Sequence, residues 1–218
     1  MEHRQNLDTL TFKSLLENSK KYSDKNSVGF FNEGMFTYAE MHEKIEALEN
    51  KLTNYGIKKG DKVAVYSTNS PDWVVLYFAV VSKGAVLVPM LPDLQIDEIV
   101  GILKHSESKL LYVSDKMESK LTDEAFNLPD LTIRLEDGKI LKGESENIEL
   151  SDSKTKPEIV EEDLALLIYT SGTTGNSKAV MLTHKNLISN AIQGDKVQPV
   201  NSNDRFMSVL PLSHAYEN

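Results

Sequence analysis

The sequence predicts an α/β fold with a doubly wound, mainly parallel sheet and helices on both faces. Strand-length apolar segments, such as Lys62–Ser67, Val86–Pro89 and Lys109–Val113, alternate with segments of helical periodicity. That alternation is typical of parallel sheets whose crossover connections are helices. With 218 residues, 40% of them hydrophobic, the chain is also long enough to bury a substantial core.

Local signals define the elements of the first fifty residues. We expect Thr11 to cap a first helix, Val28–Phe31 to form a strand, and the turn Asn32-Glu33-Gly34 to reverse the chain. Thr37 and Glu40 form a capping box for a second helix. Apolar side chains recur at helical spacing along that helix, at Met41, Ile45, Leu48 and Leu52.

A long apolar run, Trp73–Leu91, approaches the length of a membrane span. The pair Lys83-Gly84 interrupts the run, and prolines at 89 and 92 close it. We therefore interpret it as a buried helix that begins at Ser70-Pro71 and ends at Gly84, followed by a buried strand.

Regular structure is expected to weaken between Ser114 and Glu162, after a helix over Ile96–His105. The charged, turn-rich stretch 145–162 is predicted to be a linker or surface excursion. We accordingly divide the chain into a first α/β subdomain (1–144), this connection, and the start of a second subdomain (163–218). The elements predicted in the last part are strands at Leu164–Tyr169, Ala179–Leu182 and Phe206–Leu210 and a helix capped by Thr183.

Composition limits the partners of the chain. A net charge of -9 disfavours a nucleic-acid ligand, and the absence of cysteine excludes disulfides, thiolate catalysis and Cys-type zinc sites. Met1–Leu10 contains no apolar signal core, so we expect a cytoplasmic protein, with peripheral membrane contact left open. No metal-ligand spacing is seen among the histidines: we expect His42 and His105 to lie on helix surfaces and His184 to be structural.

The segment most informative about chemistry is Tyr169–Val180, with the sequence YTSGTTGNSKAV. Its glycines permit close approach of backbone N–H groups to an anion, its hydroxyls are donors, and its lysine is a compact positive charge. A buried strand precedes it, so the loop has a fixed root. We therefore predict a polyphosphate-binding loop, whose ligand-binding residues are Thr170, Ser171, Gly172, Thr173, Thr174, Gly175 and Lys178.

Two other interpretations of this loop exist. A Walker-type P-loop needs its lysine directly after the second glycine, whereas Lys178 lies three positions past Gly175 and is followed by a strand-like segment. A plain surface turn is the second alternative, because Ser, Thr and Gly favour turns in general. The density of donors between two apolar strands favours phosphate binding over the plain turn.

The same segment closely resembles the Ser-Gly-Thr-Thr-Gly-x-Pro-Lys-Gly signature of the acyl-adenylate-forming superfamily, with Ser177 and Ala179 in place of the usual Pro and Gly. Two further stretches resemble family motifs, at 36–41 (FTYAEM) and 81–89 (VSKGAVLVP). The stretch 210–217 (LPLSHAYE) resembles the family's Leu-Pro-Leu-x-His segment, and its ending is most similar to long-chain fatty acyl-CoA ligases. The resemblance implies that His214 lines the acyl pocket.

The resemblance further implies an incomplete N-terminal domain of an adenylate-forming enzyme that uses ATP, Mg²⁺ and coenzyme A. A carboxylic acid, most simply a long-chain fatty acid, would be converted to an acyl-adenylate and then to a thioester. Lys178 and Thr174 are the implied catalytic residues, and no metal ligand is assigned. Because the family's magnesium, ribose and C-terminal lysine motifs lie downstream of the resembling region, we expect these 218 residues alone not to turn over.

Two alternatives stay open. The chain could belong to an adenylation domain for an amino or aryl acid, because the floor of the acyl pocket lies downstream. It could also be a non-catalytic module that binds a nucleotide or a partner, because fold alone does not determine function.

Overall fold

The computed structural model describes residues 7–144, 157–170, 178–201 and 203–214. Its first elements form an α-helix, a hairpin and a second helix, as the caps predict. Thr11 caps helix α1 by accepting the Ser14 N–H, and Thr37 and Glu40 form the expected capping box of helix α2. These elements are α1 (Phe12–Ser19), β1 (Asn26–Phe30), β2 (Gly34–Thr37) and α2 (Tyr38–Asn54).

Next comes an α/β succession of strands and helices. It consists of β3 (Lys62–Tyr66), α3 (Pro71–Ser82), β4 (Val86–Met90), α4 (Ile96–Ser106) and β5 (Leu110–Val113). Helix α3 begins where predicted, because Ser70 Oγ accepts the Trp73 N–H and proline occupies the first turn. Gly84 ends the turn that follows α3 with a φ of 78°, a conformation that glycine adopts without strain. None of the helices in the described part of the chain is long and apolar enough to cross a membrane.

The predicted loss of order after Ser114 is wrong for residues 115–142. That stretch contains two short helices and two short strands: α5 (Asp115–Glu118), α6 (Asp123–Asn127), β6 (Leu131–Arg134) and β7 (Ile140–Lys142). They are stabilised by packing on the sheet rather than by a long periodic pattern, since β6 pairs in parallel with β5. Residues 145–156 of the predicted linker lie outside the described residues.

The last elements are β8 (Leu164–Thr170), β9 (Lys178–Thr183) and α7 (His184–Val197). Thr183 caps α7 as expected, in a capping box with Asn186. The predicted strand over Phe206–Leu210 is wrong: this stretch has no regular structure, and Phe206 and Met207 are exposed. Within the described residues, no neighbouring strand offers it a ladder of hydrogen bonds.

Seven of the strands form one sheet in the order β7-β6-β5-β3-β4-β8-β9. Four neighbouring pairs are parallel, and the two outermost pairs, β6–β7 and β8–β9, are antiparallel. The mainly parallel sheet predicted from the sequence is therefore confirmed. Strand β8 pairs with β4, so residues on both sides of the predicted linker belong to the same sheet. The boundaries of the two subdomains stay a prediction.

Helices cover both faces of the sheet, as expected for a doubly wound fold. On one face α1, α2, α3 and α7 bury residues such as Leu16, Ile45 and Leu76 against the strands. On the other face α4, α5 and α6 pack through Ile99, Met117 and Ala125. Trp73, in α3, is 3% exposed and belongs to the first of these cores. The central strands are thus packed on both faces, and this packing fixes the position of the strand ends.

Candidate functional site

The carboxyl ends of three parallel strands meet at one edge of the sheet. Strand β3 ends at Tyr66, β4 at Met90 and β8 at Thr170, and β4 pairs in parallel with both of the others. In open α/β sheets, ligands bind in the crevice outside the carboxyl ends of the strands. A ligand-binding site is therefore expected at this edge.

Thr170 and Lys178 are brought together at that edge. They are register partners at the open end of the antiparallel β8–β9 pair, which corresponds to a Cα separation of about 5 Å. Both residues are exposed, so the hydroxyl and the ammonium group face solvent at the base of the loop that joins the two strands. The loop residues themselves, predicted as Ser171, Gly172, Thr173, Thr174 and Gly175, lie outside the described residues.

The strand that leads into this loop is firmly held. Residues Ala165–Ile168 are buried, and Leu166 pairs with Leu87 of β4. Tyr169, directly before Thr170, has its hydroxyl 2.6 Å from Nδ1 of His105, and the two rings meet edge to face. His105 is exposed, as expected for a helix surface, but this contact also ties α4 to the root of the loop.

His214 lies at the end of a segment that is docked onto the loop after β3. Its backbone N–H donates to Pro211 O at 2.8 Å. The adjacent Ser213 is 2% exposed, whereas the His214 residue is exposed. Strand β4 lies between β3 and β8, so the ends of β3 and β8 are two strand spacings apart, a distance of roughly 10 Å. The segment that carries His214 therefore docks at the same edge as Thr170 and Lys178.

Asn69 holds the docked segment in place through three hydrogen bonds, and no sequence pattern predicts this role. Its Nδ2 donates to Leu210 O at 2.7 Å and to Ser208 Oγ at 3.1 Å, while its Oδ1 accepts the Leu212 N–H at 2.7 Å. These contacts span about 140 residues of sequence, so no local pattern indicates them. The available signal was its position, because Asn69 follows a parallel strand at the edge where ligands bind.

His184 is structural, as expected. The residue is completely buried, and its Nδ1 accepts the Phe12 N–H at 3.3 Å. Nδ1 therefore carries no proton in this arrangement. Burial lowers the pKa of His184 to about 4, against the opposing influence of the nearby Asp163 carboxylate. The residue connects the start of α7 to the start of α1, at the end of the β8–β9 pair opposite to Thr170 and Lys178.

No metal centre can be assigned from the described residues. Among residues 7–144, 157–170, 178–201 and 203–214, no cluster of three or more His, Asp or Glu side chains could hold a metal ion.

The sequence and the fold both match known proteins. A family model described as "AMP-binding enzyme" matches residues 15–218. The chain belongs to the AMP-binding enzyme family. This confirms the resemblance to the acyl-adenylate-forming superfamily that the loop sequence indicates.

Several curated members of the family are similar to this chain. Oxalate–CoA ligase of Arabidopsis thaliana is 31% identical over 216 residues, which cover 96% of this chain and 42% of that protein. Long chain acyl-CoA synthetase 3 of the same plant is 29% identical over 210 residues, which cover 83% of this chain and 30% of that protein. The chain thus spans less than half the length of these relatives.

Solved structures share the fold. Apo MatB from Rhodopseudomonas palustris superposes with a TM-score of 0.77 at 24% identity, over 96% of this chain and 42% of that one. The N-terminal subdomain of NpsA from Klebsiella oxytoca gives a TM-score of 0.63 at 24% identity, over 81% of this chain and 42% of that one. The helix and strand arrangement described above is therefore shared with these solved structures.

Proposed function

We propose that this chain supplies the triphosphate-binding loop of an enzyme that activates a carboxylic acid with ATP. The observation that carries the proposal is the pairing of Thr170 with Lys178 at the carboxyl edge. The sequence between them, SGTTGNS, is rich in hydroxyl and glycine residues. A loop of that composition, closed at its base by a lysine, suits the β and γ phosphates of ATP.

The proposed reaction has two displacements. In the first, a carboxylate oxygen attacks the α-phosphorus of ATP, the bond to the β-phosphate oxygen breaks, and pyrophosphate leaves. In the second, the sulfur of coenzyme A attacks the acyl carbonyl carbon, AMP leaves, and the thiol proton is lost to solvent. We assign Lys178 and the loop donors from Thr170 to Gly175 to the stabilisation of negative charge on the departing pyrophosphate.

Charge explains why such a loop is needed. A carboxylate and a triphosphate repel each other, so the site must offset that repulsion with positive charge and aligned N–H donors. Lys178 is the cation at the base of the loop, and Thr174 is the loop hydroxyl that we assign to the same phosphates. Mg²⁺, when bound with ATP, would supply additional charge neutralisation.

The acid is proposed to be a long-chain fatty acid, with the 210–214 segment beside it and His214 in the pocket. The likeness to long chain acyl-CoA synthetase 3 supports this choice. A small diacid is a second candidate, because the relative with 31% identity is an oxalate–CoA ligase. The two candidates differ in the volume and polarity of the pocket they need, so a substrate panel separates them.

Exchange of labelled pyrophosphate into ATP tests the proposal. The full protein chain that carries these residues is assayed with ATP, magnesium and single acids: palmitate, octanoate, oxalate, malonate, benzoate and an amino acid mixture. We expect exchange that depends on the acid and is greatest with palmitate. Exchange with none of the acids argues against adenylate formation, and preference for oxalate or malonate supports the second candidate.

A further inference from the structure

Asn69 occupies a rigid position in the molecule. It lies in the four-residue connection between β3 and α3, directly before the helix cap Ser70. Val63–Tyr66 of β3 are all buried, and most of α3 is buried as well. Asn69 itself is half-buried, and because its backbone is anchored by a buried strand and a buried helix, it can define the location of whatever binds to it.

The segment that binds to Asn69 has little structure of its own. Residues 203–210 are exposed and form neither helix nor strand. Burial increases only after the contacts with Asn69: Leu212 is half-buried and packs against the core, and Ser213 is 2% exposed. Asn69 therefore lies at the point where this segment changes from exposed to anchored, two residues before His214.

An amide is well suited to these contacts. The Nδ2 group has two donors, and the structure uses it toward Ser208 Oγ and Leu210 O; the Oδ1 atom accepts the Leu212 N–H. Aspartate would retain the acceptor but lose both donors, and alanine would lose all three contacts. The two substitutions therefore remove different parts of the same anchor.

We propose that Asn69 is a positioning residue for the acid substrate. Its carboxamide holds the 208–212 backbone in place and thereby sets where His214 stands at the carboxyl edge. The inference rests on the proposed function, in which that segment lines the acid pocket. Asn69 acts through the segment and does not itself contact ATP, so its effect is on acid recognition and not on nucleotide affinity.

Three variants of the full protein chain test this: Asn69→Ala, Asn69→Asp and the control Asn127→Ala. Asn127 is an asparagine of α6 whose Nδ2 donates to Asp123 O, within its own short helix. The first measurement is hydrogen exchange at the Leu212 amide. We expect exchange at least roughly tenfold faster in Asn69→Ala, since its acceptor is lost, and near the wild-type rate in Asn69→Asp and in the control.

The second measurement separates KM for the acid from KM for ATP in the pyrophosphate exchange assay. In Asn69→Ala we expect KM for the acid to rise roughly tenfold, with KM for ATP and the Tm of the protein close to wild type. A smaller rise in Asn69→Asp than in Asn69→Ala supports the same conclusion. The control should match the wild type in both constants.

Three results would overturn the inference: unchanged Leu212 exchange in Asn69→Ala, an unchanged KM for the acid, or equal rises in both KM values. Failure of the proposed function is recognised separately, because the wild-type protein would then show no exchange with any acid. In that event the Leu212 measurement alone decides whether Asn69 anchors the segment, and the role in acid recognition falls with the function.

Discussion

Nδ1 of the buried His184 accepts the backbone N–H of Phe12 at 3.3 Å, across 172 residues of sequence. The rings of the two residues also meet, with centroids 5.5 Å apart. A second contact lies beside it, from the Leu10 N–H to Glu161 Oε1 at 3.0 Å. The N-terminal helix α1 is therefore attached to the start of α7, the helix that follows strand β9 of the candidate site.

That attachment is expected to depend on pH. Burial lowers the pKa of His184 to about 4, from 6.5 for an ordinary histidine, so the unfolded chain binds the proton more tightly than the folded one. Stability from this group is complete above pH 6.5 and is lost progressively as the pH falls toward 4. The full loss is at most about 3 kcal/mol. Urea unfolding at several pH values between 4 and 7 measures it.

The control for this prediction is His184→Gln, whose neutral amide oxygen can accept the same N–H. The variant should be less stable than the wild type at pH 7 because it fits the site less well. Between pH 7 and 4 its free energy of unfolding should fall less steeply, and the difference between the two curves isolates His184 from the nearby Asp163 and Lys59. Parallel curves would mean that folding does not lower the pKa of His184.

Removal of the Lys178 charge is expected to weaken triphosphate binding. Lys178→Ala in the full protein chain should raise KM for ATP in pyrophosphate exchange by roughly 10- to 100-fold, the effect of losing one charge-assisted contact. Lys104→Ala is the matched control, since Lys104 forms an exposed ion pair with Glu124 on the surface of α4. An unchanged KM in Lys178→Ala would remove this lysine from the proposed site.

Two glycine substitutions should change stability in opposite directions. A Cβ atom on Gly29 would lie 2.3 Å from Gly34 O and 2.6 Å from Met35 Cα, so Gly29→Ala must push the β1–β2 hairpin apart. We expect a loss of about 1 to 3 kcal/mol. Gly101, inside α4, has no such neighbour within 4 Å, and Gly101→Ala should add about 0.5 to 1 kcal/mol. Thermal and urea unfolding measure both changes in stability. Equal effects of the two substitutions would contradict the prediction.

Two buried tyrosines should respond differently to loss of the hydroxyl. Tyr66 donates its hydroxyl to Pro92 O at 3.2 Å, whereas the buried Tyr112 hydroxyl has no hydrogen-bond partner among the described residues. Tyr66→Phe should therefore lower the free energy of unfolding by about 1 kcal/mol, and Tyr112→Phe should leave it unchanged or raise it by a similar amount. Destabilisation by Tyr112→Phe would indicate a bound water at that hydroxyl.

Local chemistry explains which parts of the fold were predictable. The caps at Thr11, Thr37, Ser70 and Thr183 depend on residues within three positions of each other, so the sequence alone indicates them, and the structure confirms all four. The strands β6 (LTIR) and β7 (ILK) were missed because they are short and contain polar residues, whereas β5, also four residues long, is a continuous apolar run (LLYV). The strand predicted over Phe206–Leu210 is absent for a different reason. The apolar pattern of this stretch is typical of a strand, but a strand forms only where a neighbouring strand pairs with it.

The candidate site was predictable only in part, for the same reason. The loop sequence predicts Thr170 and Lys178 as binding residues, and the structure pairs them across β8 and β9; their binding role stays a prediction. Asn69 could not be assigned, because its partners at 208–212 are far away in sequence and only the order of the strands brings them close. The positions of Ser171, Gly172, Thr173, Thr174 and Gly175 stay predictions.

The pairing of Thr170 with Lys178 also has an entropic consequence. The two ends of the intervening seven-residue stretch are held together by the sheet before any ligand arrives. The chain-closure cost of bringing those ends together is therefore part of folding and not of nucleotide binding. If the proposed triphosphate binds here, none of its contact energy is needed to bring Thr170 and Lys178 together.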